Sequence, residues 1–303
     1  MTELTQLQQK LAAKKPACEL RFYEPMSKHT SFRIGGPAEV MAFPKTREEL
    51  GEILKLSGMM DTKIAILGAG TNILAPDAGI DGIVICLKDC LEGMELLDST
   101  HIRIMGGVTM SRAAIFAANH GLSGMEFAHG IPGTVGGGVY MNAGAYGGEI
   151  CQVCRSVEVM DLSGEIHVYT NKEMAFSYRH SMLEEQGGIV ISAEFELVPG
   201  ETELIREKMK ELMAKRSASQ PLELPSAGSA FKRPVGGFAA ALIDQAGLKG
   251  FQIGGAAVSS KHAGFAVNMG DATAEDVLNL LNRVSDIVFE GTGIRLEPEI
   301  RIW

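Results

Sequence analysis

Residues 130–148, a segment of nineteen residues, restrict the possible folds of this chain more than any other part of it. Eight of these positions are glycine. Glycine this dense carries a high entropic cost on folding, so it needs an offsetting reason such as a positive φ angle or close approach of the backbone to a ligand. A disordered linker is the competing interpretation, but Ile131, Val135, Val139 and Tyr140 are too apolar for a solvated linker. This glycine-dense segment therefore predicts a loop that cradles a ligand.

Length and composition limit the classes of protein that remain. A chain of 303 residues exceeds what one hydrophobic core usually fills, so we expect two or three domains. Its 46% apolar and 21% charged residues are ordinary for a soluble globular protein. The formal net charge of −9 argues against nucleic-acid binding, which normally needs a basic face. Small anionic ligands remain possible, because local dipoles and a few cations can hold them.

Targeting signals and cysteines predict a cytoplasmic protein without disulfides. The first fifteen residues lack the cationic start and apolar run of a signal peptide, and no apolar stretch is long enough to span a bilayer. Five cysteines are an odd number in a large chain, which argues against a disulfide framework. Cys151 and Cys154 have the spacing of half a zinc site, but no second pair completes it, so we predict a strand with buried thiols and no metal.

The order of predicted elements indicates an α+β protein in three parts. Strands, one capped helix and further strands occupy residues 1–87, and a mixed region with a clear hairpin occupies 88–200. A long charged helix and a smaller α+β domain occupy 201–293. We expect a closing strand over 294–303 to complete the first part.

A second glycine pair follows a predicted strand at Gly68 and Gly70. It fails the dinucleotide-binding fingerprint, because position 73 is isoleucine, position 88 is lysine and no helix clearly follows. Consecutive backbone N–H groups in such a turn, with the Thr71 and Asn72 side chains, still suit a pyrophosphate; a plain tight turn is the alternative. Two such turns flanking an α+β region suit a long cofactor with two phosphates, extended between two subdomains.

Three polar stretches offer reactive groups, each with a structural alternative. Ser229 follows a glycine and precedes Lys232, so its hydroxyl could donate a proton, but serine in such a loop is commonly a turn residue. Arg179 lies in a polar loop and could grip a carboxylate, or it could be a solvated surface arginine. Glu299 lies in an alternating pattern that also fits an amphipathic edge strand. His262 is similarly ambiguous.

Seven short motifs, in order along essentially the whole chain, together resemble the UDP-N-acetylenolpyruvoylglucosamine reductase family, also called UDP-N-acetylmuramate dehydrogenases. Each motif alone is weak, whereas seven in the right order are specific. The motifs occupy residues 30–36, 68–74, 130–137, 141–147, 178–181, 227–232 and 296–301.

The resemblance implies an FAD-binding fold of the PCMH, or vanillyl-alcohol-oxidase, type with two subdomains for the flavin and a C-terminal α+β substrate domain. It implies bound FAD, NADPH as co-substrate, and reduction of UDP-N-acetylglucosamine enolpyruvate in peptidoglycan precursor synthesis. Ser229 then corresponds to the residue that donates a proton to C2 of the enolpyruvyl group. Arg179 and Glu299 correspond to the groups that stabilise the enolate-like charge. A carboxylate would repel that charge, so our hypothesis is that Glu299 acts protonated or through water.

The resemblance also assigns binding residues. The short link between the hairpin and Tyr178 resembles the shorter, type II form of the family. Thr71 and Thr134 stand where serine is usual, and Arg233 replaces the usual asparagine, which alters the expected contacts with UDP. The expected cofactor-binding residues are Gly68, Ala69, Gly70, Thr71, Asn72, Ile73, Gly130, Ile131, Pro132, Gly133, Thr134, Gly136, Gly137, Asn142, Ala143 and Gly144. The expected substrate-binding residues are Arg216, Gln220, Lys232, Arg233 and His262.

Two alternatives to this function remain. Another flavin oxidoreductase of the same superfamily would share both glycine turns, but has no reason to combine Ser229 with Arg179 and Glu299. A nucleotide-binding module without redox chemistry would bind no flavin. For this protein we expect a cytoplasmic monomer that neither binds nucleic acid nor inserts into a membrane.

Overall fold

The computed structural model describes residues 4–303, which form two compact units. The first unit consists of the residues up to Phe22 together with Val40–Ala69 and Gly82–Lys215. The second unit consists of Tyr23–Glu39, Gly70–Asp81 and Arg216–Trp303. Our three-part division at residues 87, 200 and 293 stays a prediction.

The regular elements alternate along the chain. The helices are α1 (Gln6–Lys14), α2 (Arg47–Met59), α3 (Met110–Asn119), α4 (Val135–Tyr140), α5 (Ile150–Val153), α6 (Leu183–Gln186), α7 (Thr202–Ser219), α8 (Ala239–Gln245) and α9 (Ala274–Thr292). The strands are β1 (Glu19–Pro25), β2 (Pro37–Phe43), β3 (Ile64–Leu67), β4 (Ile73–Leu74), β5 (Ile80–Cys86), β6 (Met94–Leu96), β7 (His101–Met105), β8 (Leu122–Ser123), β9 (Gly144–Ala145), β10 (Gly148–Glu149), β11 (Cys154–Met160), β12 (Ile166–Thr170), β13 (Ile189–Glu196), β14 (Val198–Pro199), β15 (Ser226–Ser229), β16 (Gln252–Ile253), β17 (Ala256–Val258), β18 (Phe265–Asn268) and β19 (Arg301–Ile302).

A five-stranded sheet in the order β12-β11-β13-β7-β6 supports the first unit. Its pairs are antiparallel, with Val157 opposite Ala193 and Ala193 opposite Ile104. Helices α3 and α4 contribute to the apolar core that these strands bury. A second core of the unit lies between α2 and the strands β2 and β5, where β5 pairs in parallel with β3.

The second unit is built on the sheet β15-β18-β17-β16 and on helix α9. The apolar positions of α9 recur at helical spacing, so one face of the helix is buried. This face carries Val277, Leu280, Leu281, Val284 and Val288. Thr273 caps the helix in a reciprocal capping box with Asp276, as its sequence predicts.

Asp77 adds a second cap to α9. Its carboxylate accepts hydrogen bonds from the backbone N–H groups of Ala274 at 2.9 Å and Glu275 at 3.1 Å. These two N–H groups have no partner within the helix, and a negative charge is favourable at this end of the helix dipole. Asp77 therefore anchors the segment Gly70–Asp81 to the helix of its own unit.

Replacing Asp77 with alanine is expected to lower the free energy of unfolding by about 0.5–2 kcal/mol, the usual cost of a lost N-terminal cap. Chemical denaturation followed by circular dichroism measures this change in the free energy of unfolding. The matched control is Glu290→Ala on the same helix. Glu290 forms only an exposed ion pair with Arg283, 3.9 Å away, so its loss should change stability by less than about 0.5 kcal/mol. Equal effects of the two changes would contradict the capping role.

Most predicted elements lie where the sequence places them, and two predictions were wrong. The glycine-dense segment is not only a loop, because it contains the helix α4. The closing strand covers only Arg301–Ile302, which pairs in parallel with Ile73–Leu74, rather than 294–303. Pro298 cannot donate to a ladder, and the chain around it makes only an isolated bridge to Phe231. None of the helices in residues 4–303 combines the length and apolar character needed to cross a bilayer.

Candidate functional site

The glycine-dense segment begins with the capped helix α4. The Thr134 side chain accepts a hydrogen bond from the backbone N–H of Gly137 at 3.3 Å, which starts the helix. Three of the six helical residues are glycine. Each costs about 1 kcal/mol relative to alanine in a helix interior, so each needs a reason.

Protein packing explains several of the glycines. A Cβ atom on Gly136 would lie 3.0 Å from the carbonyl oxygen of Gly106, and one on Gly138 would lie 2.8 Å from the sulfur of Met110. A Cβ atom on Gly148 would lie 2.5 Å from the ring of Phe127. Even a single methyl group would force the neighbouring chain to move at these positions. Here glycine lets the helix pack closely on the rest of its unit.

Packing does not explain Gly137, and it explains Gly68 only through one close contact with a hydroxyl group. A Cβ atom on Gly137 would meet only the hydroxyl of Thr134, at an ordinary 3.6 Å. A Cβ atom on Gly68 would meet the same hydroxyl at 3.1 Å and no other atom within 4 Å. Neither residue has a positive φ angle. The two glycines therefore leave a backbone surface on either side of one hydroxyl, which side chains would fill.

This surface fits a flavin dinucleotide. An exposed stretch of backbone without Cβ atoms allows close approach of a flat or phosphorylated group, and the Thr134 hydroxyl and backbone N–H groups can bind phosphate oxygens. The structure thus brings together three residues expected to bind the cofactor from two distant parts of the sequence: Gly68, Thr134 and Gly137. We take them as the part of the chain that would hold FAD.

Gly70 has a different role from Gly68. Its φ angle is +65°, in the left-handed region that favours glycine, and a Cβ atom would collide with the carbonyl oxygen of His29. Its own carbonyl accepts a hydrogen bond from the Ser31 N–H at 3.0 Å. Within the second unit, Gly70 therefore lets residues 70–74 pack closely against the motif at residues 30–36.

Arg179 lies at the tip of a tight turn. Ser177 and His180 exchange backbone hydrogen bonds of 3.1 and 3.2 Å, leaving Tyr178 and Arg179 as the two central residues. Arg179 has a φ angle of +57°, the left-handed region that non-glycine residues rarely adopt. Strain of this kind persists only when the surrounding structure fixes it, and it is common at functional sites.

Three hydrogen bonds dock this turn onto the glycine-dense segment. Arg179 donates from Nη2 to the carbonyl oxygen of Gly144 at 3.3 Å. Ser181, whose side chain is buried, donates to the carbonyl oxygen of Tyr140 at 2.6 Å. Asn142 donates to the carbonyl oxygen of Ser177 at 2.9 Å. The glycine-dense segment thus also holds the arginine.

Ser229 and Glu299 are brought together in the second unit. The N–H of Glu299 donates to the carbonyl oxygen of Ala230 at 2.9 Å, and the N–H of Lys232 donates to that of Glu297 at 2.8 Å. The residues after Ser229 therefore run antiparallel to 297–299. The Asn72 side chain donates to the carbonyl oxygen of Glu299 at 3.3 Å, so a predicted cofactor residue joins the same cluster.

Gly228, directly before Ser229, lies in an irregular part of its strand. Its φ angle is +79° and the pairing of β15 with β18 is irregular between Ser226 and Ser229, as in a β-bulge. Ser229 is exposed, so its hydroxyl is accessible to a substrate. Lys232, by contrast, has an ion pair with Glu297 at 3.7 Å, and both side chains are exposed. Lys232 is therefore available for an anionic ligand at little cost.

The other expected substrate residues also lie in the second unit. Gln220 has a buried side-chain oxygen without a hydrogen-bond partner among residues 4–303, which points to a ligand or water there. Its N–H donates to the carbonyl oxygen of Arg216 at 2.8 Å at the end of α7.

The guanidinium of Arg233 lies 4.3 Å above the ring of Phe238. Burial lowers the pKa of His262, whose Nδ1 accepts the Gly264 N–H at 3.1 Å, leaving Nε2 as the donor.

The two cysteines differ in environment, because Cys154 is buried whereas Cys151 is partly exposed and donates to the Glu149 carboxylate at 3.7 Å. Burial raises the pKa of Cys154 to about 12 and also raises that of Cys151, so both are neutral thiols. Cys154 begins β11 as expected, whereas Cys151 lies in the short helix α5.

Sequence reasoning missed the residues that hold Arg179. Ser177, Ser181 and Tyr140 were not assigned any role, because two of them act through backbone carbonyl groups, which every residue has. One signal was available. Asparagine is enriched at left-handed positions, and Asn142 in a glycine-rich context has a φ angle of +43°.

Comparison with known proteins places this arrangement in a class. Residues 38–170 match the profile of an FAD binding domain, and residues 220–303 match the UDP-N-acetylenolpyruvoylglucosamine reductase C-terminal domain. An alkyldihydroxyacetonephosphate synthase shares the fold at a TM-score of 0.50 and 15% identity over 66% of this chain and 42% of its own. The chain is thus an FAD-binding α+β protein of the vanillyl-alcohol-oxidase type, as predicted.

Its relatives define the family. The UDP-N-acetylenolpyruvoylglucosamine reductase of Lactobacillus acidophilus is 47% identical over 96% of this chain and 97% of its own length. That of Streptococcus pneumoniae is 45% identical over 94% of both chains. The crystal structure of the Thermus caldophilus enzyme superposes with a TM-score of 0.77 at 36% identity, covering 94% of this chain and 98% of its own. The chain belongs to the UDP-N-acetylenolpyruvoylglucosamine reductase family and is an FAD-dependent oxidoreductase, which confirms the resemblance of its motifs.

Proposed function

We propose that this chain reduces UDP-N-acetylglucosamine enolpyruvate to UDP-N-acetylmuramate, with NADPH as the electron donor, in peptidoglycan precursor biosynthesis. The family supports the substrate and the reaction class. The observation that supports the redox chemistry in this chain is the surface of Gly68, Thr134 and Gly137, where neither packing nor backbone angle requires glycine at position 137. We further propose a cytoplasmic monomer.

FAD, when bound to this chain, would supply the hydride-transfer chemistry between NADPH and the enolpyruvyl group. The chain must then handle the charge that develops at C2 and the adjoining carboxylate. We assign Arg179 to that charge, since a guanidinium can bind a carboxylate bidentately. A preorganised donor of this kind is worth about 3–4 kcal/mol in the transition state. Its left-handed turn and its hydrogen bond to Gly144 fix it before substrate arrives.

We assign to Ser229 the donation of a proton to C2 of the enolpyruvyl group. Ser229 is exposed, and the backbone hydrogen bond from Glu299 to Ala230 places Glu299 opposite the residue that follows Ser229. Glu299 is proposed to act protonated or through a water molecule, since a bare carboxylate would oppose the developing charge. For Glu299→Gln, a pH–rate profile with a near-normal rate and an unchanged acidic limb would contradict that role.

The nucleotide part of the substrate is proposed to contact the cations and amides of the second unit. Arg216 lies in the last turn of helix α7, and Gln220 directly follows the helix. The side-chain oxygen of Gln220, which has no partner among residues 4–303, marks a polar position that a ligand or water completes. Lys232, Arg233 and His262 provide further donors. The stacking of Arg233 on Phe238 gives the guanidinium a fixed plane, which an asparagine at that position would lack.

Anaerobic spectroscopy tests the function. NADPH should bleach the flavin absorbance of the purified holoenzyme, and UDP-N-acetylglucosamine enolpyruvate should restore it without oxygen. Recovery with oxygen alone would contradict the substrate and favour another flavin oxidoreductase. A protein that purifies without flavin and cannot be reconstituted with FAD would contradict the redox function altogether.

A further inference from the structure

Asn142 is a buried polar residue whose side chain is directed into the protein. It is 1% exposed and has a φ angle of +43°. Its Nδ2 donates to the carboxylate of Glu149 at 3.1 Å and to the carbonyl oxygen of Ser177 at 2.9 Å. Its Oδ1 accepts the N–H of Cys151 at 2.9 Å. Both N–H groups of the amide are therefore used, and no donor remains for a ligand.

The bond to Ser177 fixes the turn that carries Arg179. The carbonyl oxygen of Ser177 accepts two hydrogen bonds, one from Nδ2 of Asn142 and one from the N–H of His180, which closes the turn. If the hydrogen bond from Asn142 is lost, the bonds from Ser181 to Tyr140 and from Arg179 to Gly144 still hold the turn. A left-handed backbone is unfavourable for arginine relative to its usual conformations, so the turn depends on such anchors.

We propose that Asn142 is a positioning residue for Arg179, rather than a contact of the flavin. The proposal rests on the proposed function, because it assigns to Arg179 its role in the reaction. Asn142 lies shortly beyond Gly137, in the same glycine-dense segment. Its buried amide therefore links the end of helix α4, at which we place the flavin, to the turn that carries Arg179.

The test variant is Asn142→Asp, which keeps the shape, the left-handed tendency and the acceptor for Cys151. The oxygen that replaces Nδ2 can donate at most one hydrogen bond, and a proton shared with the adjacent Glu149 carboxylate leaves the Ser177 carbonyl facing an oxygen. We expect the FAD content by absorbance to stay at the wild-type level, while kcat falls about 10–100-fold because the arginine is misplaced. Hydrogen–deuterium exchange should become faster in the peptide that covers 176–182, a readout that needs no substrate.

A double-mutant cycle separates positioning from general damage. In an Arg179→Ala background, Asn142→Asp should lower kcat less than about 2-fold, because its partner is already absent. The matched control is Asn171→Asp in the same unit. Asn171 donates to the carbonyl oxygens of Cys151 and Cys154 at 2.8 and 2.7 Å but does not bond the turn. Its effect on kcat should be small and equal in both backgrounds.

Two results would overturn the proposal. One is loss of FAD in proportion to lost activity, which would make Asn142 a flavin residue. The other is unchanged exchange in 176–182 with an additive cycle. If Asn142→Asp does not fold, Asn142→Gly, which tolerates the same φ angle, replaces it in every measurement. If wild-type enzyme fails to turn over the enolpyruvyl substrate, the proposed function fails, whereas the exchange experiment still decides the anchoring of the turn.

Discussion

Replacing Gly137 with valine is expected to yield a folded protein that purifies without flavin. The space beside Gly137 is free of protein atoms other than the Thr134 hydroxyl, which would lie 3.6 Å from a Cβ atom at this position. The first carbon of a side chain therefore meets no obstacle in the chain itself. It would occupy the surface at which we place FAD, and the two further methyl groups of valine would project beyond it.

The smaller change, Gly137→Ala, should produce opposite effects on stability and binding. Alanine in place of a helical glycine stabilises by about 0.5–1 kcal/mol, so the flavin-free protein should unfold at a higher denaturant concentration. A single methyl group in a close contact costs about 1–3 kcal/mol, which weakens FAD binding by about 5–150-fold. Flavin absorbance after reconstitution and a titration with FAD measure both consequences.

Gly51 provides the matched control. It lies in helix α2 of the same unit, has no positive φ angle, and a Cβ atom there would meet nothing within 4 Å. Gly51→Ala should raise stability by the same amount and leave FAD affinity unchanged. Retention of FAD by Gly137→Val would show that the flavin does not approach α4. Unfolding of Gly137→Val, with Gly137→Ala also less stable than wild type, would show that packing rather than a ligand requires this glycine.

Replacing Ser229 with alanine is expected to separate the two halves of the reaction. Reduction of the flavin by NADPH should proceed at the wild-type rate, because Ser229 has no part in that step. Reoxidation by UDP-N-acetylglucosamine enolpyruvate should slow by about 10²–10⁴-fold, the usual contribution of a positioned proton donor. Anaerobic stopped-flow absorbance measures each half separately.

Ser226, at the other end of the same strand, is the control for Ser229. Ser226 contributes its backbone carbonyl to the hydroxyl of Ser31 at 2.6 Å, and this acceptor survives replacement by alanine. Ser226→Ala should therefore keep both half-reactions near the wild-type rates. Reoxidation of Ser229→Ala at the wild-type rate would exclude Ser229 as the donor to C2 and would direct attention to a water molecule near Glu299.

Local signals explain which parts of the fold could be predicted. Helices α3 and α9 begin at Thr109 and Thr273, whose hydroxyls accept N–H groups three residues on, a pattern visible in the sequence. Helix α4 has the same kind of cap at Thr134 but was missed, because three consecutive glycines argue against a helix. Its stability comes from packing against Gly106 and Met110, which local propensity cannot reveal.

The candidate site likewise contains residues that sequence motifs predict and contacts that only the packing of distant segments reveals. The motifs predicted that Ser229 and Glu299 would belong to one site, and the structure places them on adjacent antiparallel stretches. No pattern in the sequence indicates that Arg179 has a left-handed backbone or that Ser181 bonds Tyr140. Such contacts depend on where two distant segments meet, and a backbone carbonyl leaves no trace in residue type.

The docking of the Arg179 turn has a consequence for how this protein tolerates sequence change. Its acceptors on both sides are main-chain carbonyl oxygens, those of Tyr140, Gly144 and Ser177. Substituting those residues alters their side chains but cannot delete the oxygens. A laboratory library that randomises Tyr140 and Ser177 should therefore retain the arginine geometry. Gly144 must stay unchanged, because a Cβ atom there would lie 2.7 Å from the carbonyl oxygen of Gly148. Randomising the donors, Asn142 and Ser181, should destroy it in most clones.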